Sequence, residues 1–200
     1  LESGCKADDL NELKTSFEDA KSNDVISDEM KYAFAETLGM RYYHSGGMKL
    51  AEELVDYVLE HCQSPAILIG AYSVKACVVV QRGDYDAYMN YLQKGITLGR
   101  ENGYEKGKEM QLLCSNLCDL YMALRQFDEA EKLLTELEQL TENKSYFLRQ
   151  HLIHRRGNLA MYRGDEGFGV AELTESRKLA QGLYQDTEQS NYAAAVVDLA

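Results

Sequence analysis

Residues 113–134 read LCSNLCDLYMALRQFDEAEKLL, and the fold of the chain is decided by how this stretch is read. Leu117, Leu120, Tyr121 and Leu124 fall three and four residues apart, so they share one face of a helix. Arg125 and Gln126 then break the pattern. After them Phe127, Ala130, Leu133, Leu134 and Leu137 rebuild an apolar stripe, while Asp128, Glu129, Glu131 and Lys132 take the wet side. Two amphipathic helices joined by a short polar break form an αα-hairpin.

Other stretches repeat the pattern. Upstream, Leu10, Leu13, Phe17 and Ala20 predict a short helix over Ala7 to Lys21, closed by Ser22, Asn23 and Asp24. Ser27 or Asp28 caps the next helix, in which Leu38, Gly39, Tyr42 and the turn residue Gly46 fall in the order seen for Leu117, Cys118, Tyr121 and Arg125. Its partner carries Met48, Ala51, Val55 and Val58, with Glu52, Glu53 and Asp56 outward. Ser64 and Pro65 start a further helix, because proline's missing N–H costs nothing in a first turn. That helix places Ala76 and Val79 inward, with Lys75 where the other pairs have leucine. Gly83 and Asp84 make the turn and cap, and Tyr85, Tyr88 and Leu92 begin a helix that runs to about Glu101. A third pair begins near Tyr104. A fourth follows Asn143, with Tyr146, Leu148, Leu152, Ile153, Leu159 and Ala160 inward, Gly157 at the close contact, and Leu173, Leu179, Ala180 and Leu183 in its second helix. Asp186 and Gln189 resemble a capping box, opening a last helix with Tyr192, Ala195, Val196 and Leu199.

These residues resemble the tetratricopeptide repeat: leucine then a small residue, a tyrosine, an aromatic opening the second helix, an alanine, and bulky residues after it. The resemblance implies an all-α fold, an α-solenoid of antiparallel helix pairs in a right-handed superhelix. The expected pairs cover residues 28–62, 64–102, 104–143 and 145–185, with 186–200 starting a further helix. Met48, Tyr85, Phe127 and Phe168 open the second helices at intervals of 37, 42 and 41 residues. Because Phe168 lies two residues too far from Gly164, an insertion or an irregular helix start is expected in RGDEGFG. Intervals above about 34 residues resemble the longer repeats of bacterial regulatory and signalling proteins. The apolar final segment YAAAVVDLA implies either continuation of the array in a longer protein or a surface for a partner or a second copy.

Composition narrows the function. The 200 residues are 45% hydrophobic, with 14 Tyr and 1 Pro, as suits long helices with short turns. The net charge of −12 disfavours direct binding to nucleic acid or an anionic membrane, and no apolar run approaches bilayer-spanning length. Arg149, Arg155 and Arg156 form a local basic cluster on one helix, read as a solvated flank before a binding patch. Cys5, Cys62, Cys77, Cys114 and Cys118 show no framework spacing, so reduced thiols and a cytoplasmic setting are expected. Gly4 before Cys5 resembles a bacterial lipoprotein processing site, although Glu2 stands where an apolar residue belongs, so Cys5 is a lipidation site or a loose end.

Each chemical motif has a plain structural reading. His151 and His154 share a helical face at a spacing compatible with two metal ligands, without a third ligand spaced nearby, and read as a solvent-facing pair. Cys114 and Cys118 share another face, with Cys118 at the place needing a small side chain. Carboxylate pairs such as Glu52 with Glu53 and Glu136 with Glu138 solvate helix surfaces. Each Arg-Gly-Asp triplet, 82–84 and 163–165, puts a turn glycine before an aspartate cap. No cofactor, metal or catalytic residue is expected.

The resemblance places function on the concave face lined by the first helix of each pair. There the chain presents Glu36, Met40, Tyr43 and His44; Ser73, Cys77 and Gln81; Ser115, Asp119 and Met122; and His151, His154, Asn158 and Met161. This mixture suits a protein or peptide segment. The family's carboxylate-binding groove uses Lys, Arg and Asn side chains, of which only Asn158 has a counterpart. The expectation is a non-catalytic binding scaffold. The alternative is the sensory or regulatory region of a multidomain bacterial transcription regulator or signalling enzyme, for example a diguanylate cyclase, with its output domain elsewhere.

Overall fold

The computed structural model describes residues 7–141 and 146–187, and every element among them is helical. Helix α1 is Ala7–Lys21, α2 Asp28–His44, α3 Met48–His61, α4 Pro65–Val80, α5 Tyr85–Glu101, α6 Lys108–Ala123, α7 Phe127–Thr141, α8 Tyr146–Arg163 and α9 Glu166–Thr187. The chain divides into two compact units after Leu113, inside α6. In the first, α2 packs on α3 and α4 on α5, with α1 against α2 and α4 against both α2 and α3. In the second, α8 packs on α9 and α7 on α8.

In the first unit α1 and α3 bury one apolar stripe each against α2 and α4. Leu10, Phe17, Leu38, Tyr42, Ala51, Val55, Val58, Val74 and Val78 form its core. Phe17 meets Phe34 and Tyr57 edge-on, at 5.6 and 6.2 Å between ring centres, and the Tyr42 hydroxyl donates to the Leu10 carbonyl at 3.2 Å. Ser27 caps α2, its hydroxyl accepting from Met30 N at 3.3 Å, and Pro65 opens α4 as expected.

The turns between paired helices share one geometry. Gly46, Gly83 and Gly164 are left-handed, with φ of 84°, 75° and 86°, and so is Arg125 with φ of 58°. The next residue caps or precedes the second helix: Asp84 accepts from Ala87 N at 3.0 Å and Asp165 from Phe168 N at 3.3 Å. Both Arg-Gly-Asp triplets are therefore turns with caps. Their arginines also reach back to the preceding pair: Arg82 pairs with Glu52, and Arg163 with Glu131 at 2.8 Å. Counted from the left-handed residue, Glu52 and Glu131 occupy one register position and Arg82 and Arg163 another.

That register corrects several expectations. Glu166, not Phe168, opens the second helix of the last pair, which makes the intervals 37, 42 and 39 residues and removes the insertion. Gly169 then matches Ala51 and Ala130 at the close contact, and it is buried. Leu124 is 48% exposed, because α6 ends at Ala123 and the chain has already turned. The third pair starts at Lys108; Tyr104 and Gly107 lie in a hydrogen-bonded turn before it. Glu52 and Asp56 are part-exposed, as expected, but they also clasp Lys75, whose Nζ donates to them at 2.9 and 2.8 Å. Helix α9 continues through Asp186 to Thr187, so no new helix opens at Asp186, whose side chain lies outside the described residues. Cys5, Asn143, Gln189 and the apolar segment expected at Tyr192–Leu199 lie outside the described residues, as do the side chains of Tyr146, Leu148 and Leu183.

The lysine at the leucine position is held by charge. Burial opposes its ammonium, but hydrogen bonds to Asp56 and Glu52 outweigh that and raise its pKa. The Arg82 guanidinium, ahead of Lys75, holds the Glu52 carboxyl below its ordinary range. With a depressed carboxyl and a raised ammonium, the cluster stabilises the fold between the carboxylate and lysine ranges. It is lost as pH falls through the Glu52 pKa or rises through that of Lys75.

Candidate functional site

The predicted binding residues sort by helix register. Among the first helices of the first unit, Met40 and Tyr43 on α2 and Cys77 on α4 are half-buried, and His44 and Gln81 are exposed. The Tyr43 phenol lies near enough to the Gln81 amide and the Cys77 thiol for each to act on its protonation, and Tyr43 meets the His44 ring edge-on at 5.3 Å. Burial raises the pKa of both the Tyr43 phenol and the Cys77 thiol. The structure thus brings Tyr43, Cys77 and Gln81 together across two consecutive first helices. Ser73 is not part of this surface: it is 1% exposed, and its hydroxyl has no partner.

Two turns away from Tyr43 and Cys77, the Glu36 carboxylate lies against Gly70, where an added Cβ would stand 2.6 Å from Oε1. Burial raises the Glu36 pKa, and Glu109 raises it further. The glycine creates the room the carboxylate occupies.

In the second unit, Ser115 on α6 is half-buried and Asp119 is exposed. Arg155 on α8 donates to both Asp119 oxygens, at 2.9 and 2.8 Å. Met122 is 4% exposed and belongs to the core, a second departure from the expected surface. His151, His154 and Asn158 are half-buried, not solvent-facing, and Met161 is exposed. The Asn158 amide nitrogen and His154 Nε2 lie 3.2 Å apart. Burial, with Arg155 and then His154 nearby, pushes the His151 pKa down to about 4, so its ring is neutral at pH 7. Among the described residues no group of three or more His, Cys, Asp or Glu has the geometry of a metal site.

Arg155 and Arg156, read as a basic cluster, are both neutralised: Arg156 donates to Glu138 at 3.1 Å. The Asp119–Arg155 pair is the feature that reading the chain missed, and a signal for it exists. Contacts between consecutive first helices are offset by one turn. Glu36 meets Gly70, Tyr43 meets Cys77 and Asp119 meets Arg155, each partner one turn earlier relative to its own left-handed residue. Opposite charges at that offset mark the pair.

Among the described cysteines, Cys62, Cys114 and Cys118 are buried, and Cys77 is half-buried. Cys118 occupies the small-residue position, its thiol donating to the Ala130 carbonyl at 3.7 Å. Burial, then Asp119, pushes its pKa up to about 12, far from the thiolate that nucleophilic chemistry needs. Among the described cysteines no disulfide forms.

Together these features define an all-helical repeat protein built from consecutive helix pairs. No protein-family model matches the chain, and no curated protein matches it. The crystal structure of BtubC (BKLC) from P. vanneervenii is similar in fold, with a TM-score of 0.74 and 19% identity over 93% of this chain and 81% of that one. The likeness supports a helical, solenoid-like fold. Among the described residues no helix is long and apolar enough to cross a membrane.

Proposed function

We propose that the chain is a tetratricopeptide-type repeat protein acting as a non-catalytic scaffold, which binds a protein or peptide segment along the first helices of its pairs. The observation that carries this reading is the Tyr43–Cys77–Gln81 cluster. It spans two first helices, is partly to fully exposed, and sets an aromatic surface beside groups able to hydrogen-bond. Tyrosine offers a large contact area at low entropic cost, and the Gln81 amide can pair with an extended backbone. In the second unit Asp119, Arg155, His154 and Asn158 provide polar groups with exposed Met161 beside them. The raised thiol pKa values of Cys77 and Cys118 support a surface that recognises, not one that reacts.

The test is selection of peptides from a displayed library on the intact chain, followed by affinity measurements with variants. Tyr43→Ala and Gln81→Ala are each expected to weaken a selected peptide about tenfold or more, with helical circular dichroism retained, whereas Glu129→Ala on an exposed face of α7 leaves it unchanged. Peptides that bind all three variants as they bind the parent chain would remove the assignment.

A further inference from the structure

A cavity of about 340 Å³ opens on the second unit between α7, α8 and α9, away from the first-helix surface. Its charged and polar lining includes Glu131, Thr135, Glu138, Arg156 and Arg163, beside Leu134, Leu159 and Phe168. The repeat register supplies a direct comparison, because the equivalent place in the first unit is filled by the chain itself. Glu131 and Thr135 stand where Glu52 and Asp56 stand, and Arg156 and Arg163 where Lys75 and Arg82 stand.

In the first unit the Lys75 ammonium enters this place. Its side chain is 9% exposed, and Glu52 accepts from Lys75 and Arg82 together. In the second unit Arg163 repeats the role of Arg82, donating to Glu131 at 2.8 Å. Arg156 does not repeat that of Lys75. Its guanidinium goes one turn along α7 to Glu138, at 3.1 Å, and lies 5.8 Å over the Phe168 ring. The cavity stands where the lysine stem and ammonium would otherwise pack. Glu131 remains 58% exposed, and the Thr135 hydroxyl, which donates to the Glu131 carbonyl at 2.9 Å, keeps its oxygen as an acceptor.

We infer that this cleft binds a primary alkylammonium group, the ammonium on Glu131 and Thr135 and the methylene stem along Leu134 and Leu159, in the manner of Lys75 in the sister cleft. Both arginines are already paired with carboxylates, and the chain's net charge of −12 favours a cation. The group can be the lysine side chain of a partner protein or a free polyamine. This site is independent of the proposed peptide surface.

Titration of the intact chain, followed by NMR, with Nα-acetyl-lysine methylamide and separately with spermidine tests the inference. Saturable shifts confined to α7–α9 are expected at millimolar concentrations of either probe. Tighter binding of the lysine derivative points to a partner's side chain, and tighter binding of spermidine to a free polyamine. Glu131→Gln is expected to weaken binding roughly tenfold to a hundredfold, the range for losing a charged hydrogen bond. The double variant Thr135→Asp, Arg156→Lys rebuilds the Lys75 arrangement. It is expected to abolish binding while keeping or raising the melting temperature, which separates a filled cleft from a damaged fold. No saturable shift with either probe, or binding that survives the double variant, overturns the inference.

Discussion

Arg125 adopts a backbone conformation that the other three paired turns reserve for glycine. A non-glycine residue pays about 1–2 kcal/mol for left-handed geometry, so Arg125→Gly is expected to stabilise the α6–α7 hairpin by about 1 kcal/mol. For a chain of this size that is a rise of roughly 2–4 °C in melting temperature, and calorimetry showing no rise or a fall would contradict it. A second residue carries a pH signature. Glu36 has a raised pKa from burial and from Glu109; the stability linked to its protonated form is full below the ordinary carboxylate pKa and is lost as pH rises through the raised one. Glu36→Gln is therefore expected to raise the urea midpoint at pH 7 and to lose that advantage well below the carboxylate range. Equal gains at both pH values would show that charge is not the cause.

Between elements, spacing is set by small residues at one register position. Gly39, Ala76, Cys118 and Gly157 stand at the same distance before the left-handed turn residue. At Gly157 an added Cβ would lie 2.8 Å from Leu173 Cγ and 3.1 Å from Leu173 N, so α8 and α9 must separate to admit it. Gly157→Ala is expected to cost about 1–3 kcal/mol, the usual range for overpacking, read as a lowered denaturation midpoint; an unchanged midpoint would mean the helix contact is looser than described. This contact was legible in the chain, as were the caps at Ser27, Asp84 and Asp165, because each depends on residues within a few positions. What escaped reading depended on the neighbouring pair. Ser73 and Met122 look like surface residues on their own helices, yet both are buried in the fold. Glu52 and Asp56 look solvated until Lys75 arrives from the next helix. The left-handed geometry of the third turn could not be read from Arg125, which takes at an energetic cost the conformation that glycine takes in the other turns.

For the molecule as a whole, helical content, the pairing of helices and the repeat length follow from apolar periodicity, which local sequence carries. The cross-helix hydrogen bonds and the α7–α9 cavity do not, because they require knowing which turn of one helix meets which turn of the next. The charge balance of 21 cationic against 33 acidic side chains makes one global prediction. Exposed ion pairs contribute about 0–1 kcal/mol each, whereas the net charge repels itself throughout the fold. Raising sodium chloride from low concentration to about 0.15 M, where the screening length is about 8 Å, is expected to raise the melting temperature. A steady fall with salt would show that the ion pairs dominate.

The Arg82–Glu52 and Arg163–Glu131 pairs also bear on how such a chain can diverge. Each joins residues 30 or 32 positions apart that belong to different helix pairs, so a change in one repeat is compensated in its neighbour and not within its own hairpin. Inheritance then acts on adjoining halves of successive repeats. Descendants of this chain would carry correlated substitutions at positions 52 and 82, and at 131 and 163, and a repeat duplicated or exchanged as a tidy hairpin would arrive with its arginine matched to the wrong predecessor.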